Sequence, residues 1–228
     1  MQKNKIIYII APLFSVVILL LFSLGIYSQE TEITVDAPLS ITANKVEGNQ
    51  KEKMVTYTGN VILKHSKSTV KSDIMKAYTE NEKVVCDGNV YFINTKDKIT
   101  IRSGHLEYYK QTKYAYVTEN PVLVKKDKDN SETKVVSKEM EMFENDRIAN
   151  AKGDVKITRK DIIATCQLAT YYSKEEKILL TGDPVAIQKK NTFRGEKIWI
   201  YPKNNKLVLE NKVDSAVYLE EKKEEGEK

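Results

Sequence analysis

A short turn pattern returns along this chain about every thirty residues, and it constrains the fold more than any other feature. Its copies are YTGNVIL (57–63), CDGNVYF (86–92), VTENPVLV (117–124), AKGDVKI (151–157) and LTGDPVAI (180–187), with a weaker sixth in LENKV (209–213). Gly-Asn, Gly-Asp and Asn-Pro are turn dipeptides, and we interpret Pro121 and Pro184 as extra residues placed before the valine. A fixed period of this length indicates a repeat architecture whose units pack on their neighbours.

A second pattern alternates with the turns. It has an apolar residue, a small residue two positions later and an apolar residue three further on. The copies are ITANKV (41–46), VKSDIM (70–75), IRSGHL (101–106), VVSKEM (135–140), IATCQL (163–168) and FRGEKI (193–198). We take the small positions to be Ala43, Ser72, Ser103, Ser137, Thr165 and Gly195. Aromatic residues follow six positions later and are expected on the opposite face, at Tyr78, Tyr109, Phe143, Tyr171 and Tyr201.

Between these marks apolar residues alternate with polar ones, which is the pattern of strands with one buried face. Beyond residue 29 no stretch keeps a helical period for more than a turn or two, so the body is predicted to be all-β, with about twelve or more strands. The predicted inward-facing residues are Leu63, Phe92, Leu106, Val124, Met140, Ile157, Leu168, Ile187 and Ile198. Periodicity alone cannot separate an open groove from a packed core, so both interpretations stand for each residue.

The chain begins with a segment that directs it to a membrane. Lys3 and Lys5 precede 24 residues, from Ile6 to Gln29, without a charged side chain. That length can cross a bilayer of about 30 Å as one hydrophobic helix, and it also fits a signal peptide cleaved near Ser28. Either way, everything after Glu30 is expected outside the cytoplasm. We therefore expect a leader or anchor at 1–28, a β domain at 29–219 and a charged tail at 220–228.

Charge and chemistry exclude several classes of protein. The net charge is +5, but basic and acidic residues are interleaved, so no nucleic-acid surface is predicted. The two histidines, His65 and His105, are expected at the surface without a catalytic partner, so neither an enzyme nor a metal or cofactor site is predicted. Of the two cysteines, Cys86 is placed inward and Cys166 outward, too far apart for a disulfide.

The alternating patterns at 40–63, 70–92 and 193–213 resemble those of the OstA/LptA-like lipopolysaccharide-transport family, and the likeness covers about residues 38–219. The resemblance implies an antiparallel folded-over sheet, called a β-jellyroll or β-taco, with an apolar inner channel. It implies a periplasmic, non-catalytic carrier that bridges lipopolysaccharide transport from an inner-membrane ABC transporter to an outer-membrane assembly protein. The nine inward residues are then the lipid-contacting candidates.

Two alternatives stay open. A retained anchor would make the chain an LptC-type component docked on the inner-membrane transporter, whereas an exported β-solenoid scaffold or adhesin would bind no lipid. Sheets of this kind also have free edges, and an unpaired strand recruits further strands. The first edge, 31–41, and the last, 213–219, are expected to pair head to tail with copies of the chain.

Overall fold

The structure, a computed structural model, describes residues 39–127, 129–204 and 206–217. Within these ranges the chain forms an antiparallel sheet of eighteen strands, together with a short 3₁₀ helix at Pro202–Asn204. The strands are β1 (Ser40–Thr42), β2 (Lys45–Asn49), β3 (Met54–His65), β4 (Ser68–Tyr78), β5 (Lys83–Asn94), β6 (Ile99–Tyr109), β7 (Tyr114–Thr118), β8 (Val122–Lys126), β9 (Glu132–Val136), β10 (Glu139–Phe143), β11 (Ile148–Arg159), β12 (Ile162–Tyr172), β13 (Lys177–Thr181), β14 (Val185–Gln188), β15 (Asn191–Arg194), β16 (Lys197–Tyr201), β17 (Lys206–Glu210) and β18 (Asp214–Ala216). The all-β prediction is confirmed.

The strands differ in length because the chain bends sharply in the middle of each pass across the sheet. β3, β4, β5, β6, β11 and β12 run through the bend as strands of 11 or 12 residues. The other strands of the described ranges come in successive pairs, such as β7 and β8, that are two halves of one pass. Within the residues that the structure describes, the chain therefore crosses the sheet twelve times, as the repeats predict.

The bends divide the sheet into two walls. Wall A consists of β2, β7, β10, β13, β16 and β17 with the halves of the long strands that pair with them. Wall B consists of β1, β8, β9, β14, β15 and β18 with the other halves. A single cluster of buried apolar side chains, drawn from both walls, fills the space between them. The molecule is thus a sheet folded over on its own apolar face.

The line along which the sheet folds, the crease, is built by the repeated turns. Each copy places two successive residues in the left-handed backbone region, as at Gly59 (φ 79°) and Asn60 (φ 47°). The other pairs are Gly88–Asn89, Glu119–Asn120, Gly153–Asp154, Gly182–Asp183 and Asn211–Lys212. Pairing registers shift at the crease, as a β-bulge does, between Thr58 and Val61 for example. Even the weak sixth copy is a true crease turn.

The second sequence pattern marks the point in each strand at which the inward-facing positions shift by one residue. In β4, Val70 and Ser72 are buried before the crease and Met75 after it, three positions beyond the small residue. A step of three in a strand moves inward side chains from even to odd positions. The spacing of apolar, small and apolar residues therefore follows from the bend itself.

Opposite the crease, the two walls end in hairpin turns that form a long mouth. Wall A contributes the turns between β4 and β5 or β12 and β13, and wall B those between β5 and β6 or β8 and β9. At the two ends of the described sheet, β1 and β2 form the first edge and β17 and β18 the last.

Candidate functional site

The interior between the walls is the candidate site, and six of the predicted residues lie in it. Leu63, Phe92 and Ile157 project from wall B, and Leu106, Met140 and Ile198 project from wall A. None of the six is more than 4% exposed, and Phe92 and Ile198 are 0% exposed. The interior is therefore packed side chain against side chain, as in a protein core.

Three of the residues predicted to face inward lie on the outer face instead: Val124, Ile187 and Leu168. Val124 pairs with Thr100 on the outer face, while its neighbour Leu123 pairs with the buried Ile101. Ile187 pairs with Ile163 on the outer face, and the two are 40% and 41% exposed. The inward residue there is Ala186, which is 0% exposed.

The reason is that the prolines are not extra residues. Pro121 and Pro184 occupy the place that Val61 has in the first copy, since each comes directly after the two left-handed residues. Every residue after them therefore stands one position away from where the pattern puts it. A one-residue slip in a strand moves a side chain to the other face of the sheet.

Leu168 is misplaced by a similar slip in the fifth copy of the second pattern. Cys166, and not Thr165, is the small inward residue there, since it pairs with Val155 as Ser72 pairs with Val61. Leu168 consequently lies on the outer face opposite Thr181, and Ala169 is buried in its place. The same slip reverses the face of an aromatic residue: Tyr171, which was predicted on the opposite face, packs against the core.

The outward placement of Cys166 is wrong for the same reason. Cys166 is 4% exposed and Cys86 is 1% exposed, and both are free thiols. Burial raises the pKa of Cys86 to about 12 and that of Cys166 to about 11.

His105, predicted to lie at the surface without a catalytic partner, has two carboxylates beside it. It lies on the outer face of wall A, where its Nδ1 is 2.6 Å from Asp87 Oδ1 and its Nε2 is 3.4 Å from Glu107 Oε1. Burial opposes ionisation of Glu107, but hydrogen bonds from Tyr109 and Lys83 lower its pKa below the usual value. Across the described ranges, no group of three or more His, Cys, Asp or Glu residues could hold a metal ion.

Apolar side chains continue to both ends of the interior. Leu39 and Ile41 at the first edge, and Leu207 and Leu209 at the last, are partly buried against the core and partly exposed. The apolar interior therefore reaches both edges of the described sheet.

The mouth carries polar groups that face inward. Arg159 on β11 is 6% exposed, and its Nη1 donates to the Asp127 carboxylate and, at 2.9 Å, to Thr133 Oγ1. Its Nη2 donates at 3.2 Å to the carbonyl of Pro202, in the 3₁₀ helix that joins β16 and β17 of wall A. A buried guanidinium thus joins the two walls at this point, which the sequence patterns did not indicate.

No helix within the described ranges is long and apolar enough to cross a membrane. The segment 6–29, with both interpretations of it, lies outside the described residues, as do 31–38 of the predicted first edge and the tail 220–228.

Comparison with known proteins gives the family of the chain. No curated protein sequence matches the chain. Among solved structures, the chain is similar to LptH, the LptA homologous periplasmic component of the lipopolysaccharide transport device from Pseudomonas aeruginosa. The identity is 15%, the TM-score is 0.25, and the match covers 80% of this chain and 96% of that one. The model of the LptA/(LptD N-terminal domain) LPS transport proteins matches residues 40–206, nearly the whole described sheet, and the chain therefore belongs to this family.

Proposed function

We propose that this chain is a non-catalytic carrier that holds the acyl chains of lipopolysaccharide between walls A and B and bridges transport across the periplasm. The observation that supports this most is the single apolar interior that both walls line from the first edge to the last. A lipid with several acyl chains cannot cross water alone, because each exposed methylene costs about 0.8 kcal/mol. An apolar interior of this kind replaces that contact with water.

Loading requires the walls to separate. Phe92, Val117 and Ile198 are 0% exposed, so an acyl chain does not reach them while the walls are closed. The crease supplies a bend and the mouth lies opposite it, so we propose that the walls open at the mouth. Leu63, Leu106, Met140 and Ile157 would then contact lipid together with Phe92 and Ile198.

The proposed partners follow from a periplasmic location of the domain and from the free edges of its sheet. The folded domain lies in the periplasm, where lipopolysaccharide arrives from an inner-membrane ABC transporter and leaves to an outer-membrane assembly protein. Head-to-tail copies join through the free edges, β1 and β2 of one chain pairing with β17 and β18 of the next. Such pairing would prolong the apolar interior from one copy to the next.

The fate of the leader decides between the bridge and the anchored LptC-type component. We propose the domain boundaries 1–28, 29–219 and 220–228, with cleavage near Ser28 for the bridge. The mass of the mature protein isolated from cells measures this directly. A mass that includes residues 6–28 would contradict the bridge and support the anchored form.

Photo-crosslinking tests the carrier function. A photoreactive residue at Phe92, in the interior, is expected to give lipopolysaccharide adducts in irradiated cells. The matched control is Tyr91, the adjacent residue on the outer face, where Arg102 covers its ring at 5.0 Å from the centroid. Adducts at position 92 and none at 91 are expected. Absence of adducts at both positions in folded, exported protein would leave the scaffold or adhesin as the better function.

A further inference from the structure

Two cationic side chains of wall B contact uncharged groups on the side of wall A at the mouth, in the second half of the molecule. Lys125, Thr133 and Arg159 lie side by side on β8, β9 and β11, and all three face inward. Lys125 Nζ lies 5.6 Å from the centroid of the Tyr171 ring on wall A. Together with the bond from Arg159 to the Pro202 carbonyl, this makes two cationic contacts between the walls.

Acidic groups border the same place. Asp127, in the turn after β8, forms an ion pair with Arg159. Glu176, in the turn after β12, forms one with Lys203. Burial, together with the charges of Glu176 and Asp127, raises the pKa of Tyr171 to about 12, so Tyr171 lies near both carboxylates. Asp97, in the turn after β5, lies near Lys125 too: burial raises the pKa of Asp97, and the charges of Lys96 and Lys125 oppose that rise. The cations at the mouth are therefore balanced while the walls are closed.

Arg159 Nε and Ser173 Oγ, in residues that are 6% and 4% exposed, are buried polar atoms without a hydrogen-bond partner among the described residues. Two carboxylate oxygens at the mouth, Asp97 Oδ2 and Glu176 Oε2, are also buried without a hydrogen bond. Ser173 stands two positions beyond Tyr171, where wall A meets the mouth. Buried polar atoms in folded proteins nearly always have a partner, so an unpaired donor on a buried guanidinium points to an acceptor that the closed structure does not supply.

The donors match the chemistry of a phosphate group. A guanidinium presents planar paired donors that fit phosphate oxygens, a lysine ammonium adds charge, and a serine hydroxyl adds one more donor. The acceptors that Arg159 uses now are one carboxylate, one hydroxyl and one carbonyl. A phosphate could take the place of the Pro202 carbonyl and compete with Asp127.

We propose that Arg159, Lys125 and Ser173 form a site at the mouth for the phosphate group of the carried lipid headgroup. Seating of that group exchanges the Arg159 contact with the Pro202 carbonyl for a contact with the ligand, which frees wall B from wall A at this point. The headgroup then stays at the polar mouth while the acyl chains occupy the apolar interior. This inference rests on the proposed function, since it assigns part of the same ligand.

The test compares lipopolysaccharide carrying phosphorylated lipid A with the same lipid after enzymatic removal of the phosphates. Both are titrated onto the purified full chain. Arg159→Gln is expected to weaken binding of the phosphorylated lipid at least tenfold and to leave binding of the dephosphorylated lipid unchanged. Asp127→Asn is expected to strengthen binding of the phosphorylated lipid, because it removes the competing carboxylate. A purely structural role for the Arg159–Asp127 pair predicts a loss for both variants.

Lys160→Gln is the matched control, because Lys160 is the next residue, is exposed, and pairs with Asp129 at 3.0 Å. It removes the same charge and is expected to bind both lipids as the wild type does. Thermal unfolding checks that each variant is folded, and Ser173→Ala carries the same comparison if Arg159→Gln does not fold. Inorganic phosphate is expected to compete with the phosphorylated lipid alone.

The outcomes separate this inference from the proposed function. Wild-type chain that binds both lipids equally well overturns the phosphate site and leaves the carrier function standing. If Arg159→Gln weakens the binding of both lipids equally, the phosphate site is also overturned and the carrier function stands. Inorganic phosphate that binds at Arg159 without displacing lipid overturns the headgroup assignment. Wild-type chain that binds neither lipid overturns both proposals.

Discussion

At the crease, a side chain on one strand lies against a glycine on the next. A Cβ added at Gly59 would be 2.7 Å from Asn44 Nδ2, and one at Gly88 would be 2.4 Å from Asp73 Oδ2. In the third pair the roles are exchanged, because Gly104 faces Glu119, whose Oε2 would lie 1.8 Å from an added Cβ. Glu119 keeps a left-handed backbone (φ 62°), a conformation that costs a residue with a side chain about 1–2 kcal/mol. Only one member of this pair has room for a side chain.

This exchange predicts strong coupling between Gly104 and Glu119. Gly104→Asn alone is expected to lower the free energy of unfolding by about 2 kcal/mol, because the new side chain overlaps Glu119. Adding Glu119→Gly recreates the Asn44–Gly59 arrangement and is expected to restore most of the loss. Denaturant unfolding of the two single variants and the double variant measures the coupling. Gly48→Asn is the control, since no atom of the described residues lies within 4 Å of a Cβ there. Additive effects at 104 and 119 would contradict the prediction.

At the scale of the strand, the turn decides which face each later residue takes. β8 and β14 both follow a proline that stands directly after two left-handed residues, at 121 and 184. Proline suits this place because it is the first residue beyond the turn, where no ladder hydrogen bond from its nitrogen is needed. Leu123 and Ala186 therefore face the core, and Val124 and Ile187 face outward.

Two isoleucines that the sequence places alike are predicted to respond differently to truncation. Ile157→Ala is expected to lower the free energy of unfolding by about 3 kcal/mol, because Ile157 is 2% exposed in the packed interior. Ile187→Ala is expected to cost less than about 1 kcal/mol, because Ile187 is 40% exposed. Denaturant midpoints of the two variants measure the difference, and equal losses would show that the proline does insert an extra residue.

For the whole molecule, the closed interior is the property that transport must change. Cys86 lies on the inner face of wall A, and Cys166 lies beside the crease. Reaction of each thiol therefore shows whether a reagent reaches that part of the interior. Burial raises both pKa values, to about 12 and about 11. Only the thiolate reacts with alkylating reagents, so at pH 8 the reactive fraction is on the order of 10⁻⁴ for Cys86 and 10⁻³ for Cys166.

Alkylation of the folded chain at pH 8 is therefore expected to be slow at both thiols and to rise about tenfold per pH unit up to pH 10. Mass spectrometry of timed samples follows the reaction, and Cys86→Ser and Cys166→Ser assign each rate. The same chain unfolded in urea is the control and should react quickly. Folded protein that reacts as fast as unfolded protein would mean that the walls stand open in solution.

The inward residues could be predicted wherever the copies of the turn pattern can be aligned in only one way. Leu63, Phe92 and Ile157 follow a glycine turn and a valine, so the alternation gives their face correctly. Val124, Leu168 and Ile187 were misplaced because one residue of misalignment reverses the face, and the inward residue next to each of them is apolar as well. The positions of Pro121 and Pro184, directly after the turn dipeptide, are the signal that would have corrected two of them.

The repeat, the strands, the turns and the family could be predicted from the sequence, because each depends on residues near one another along the chain. The distance between the walls and the groups that meet across the mouth are known only from the folded molecule. Arg159 and Pro202 are 43 residues apart and belong to different walls, so no local pattern joins them. Alternation tells which way a side chain faces, but not what it meets there, because the distance between two walls depends on the packing of the whole sheet.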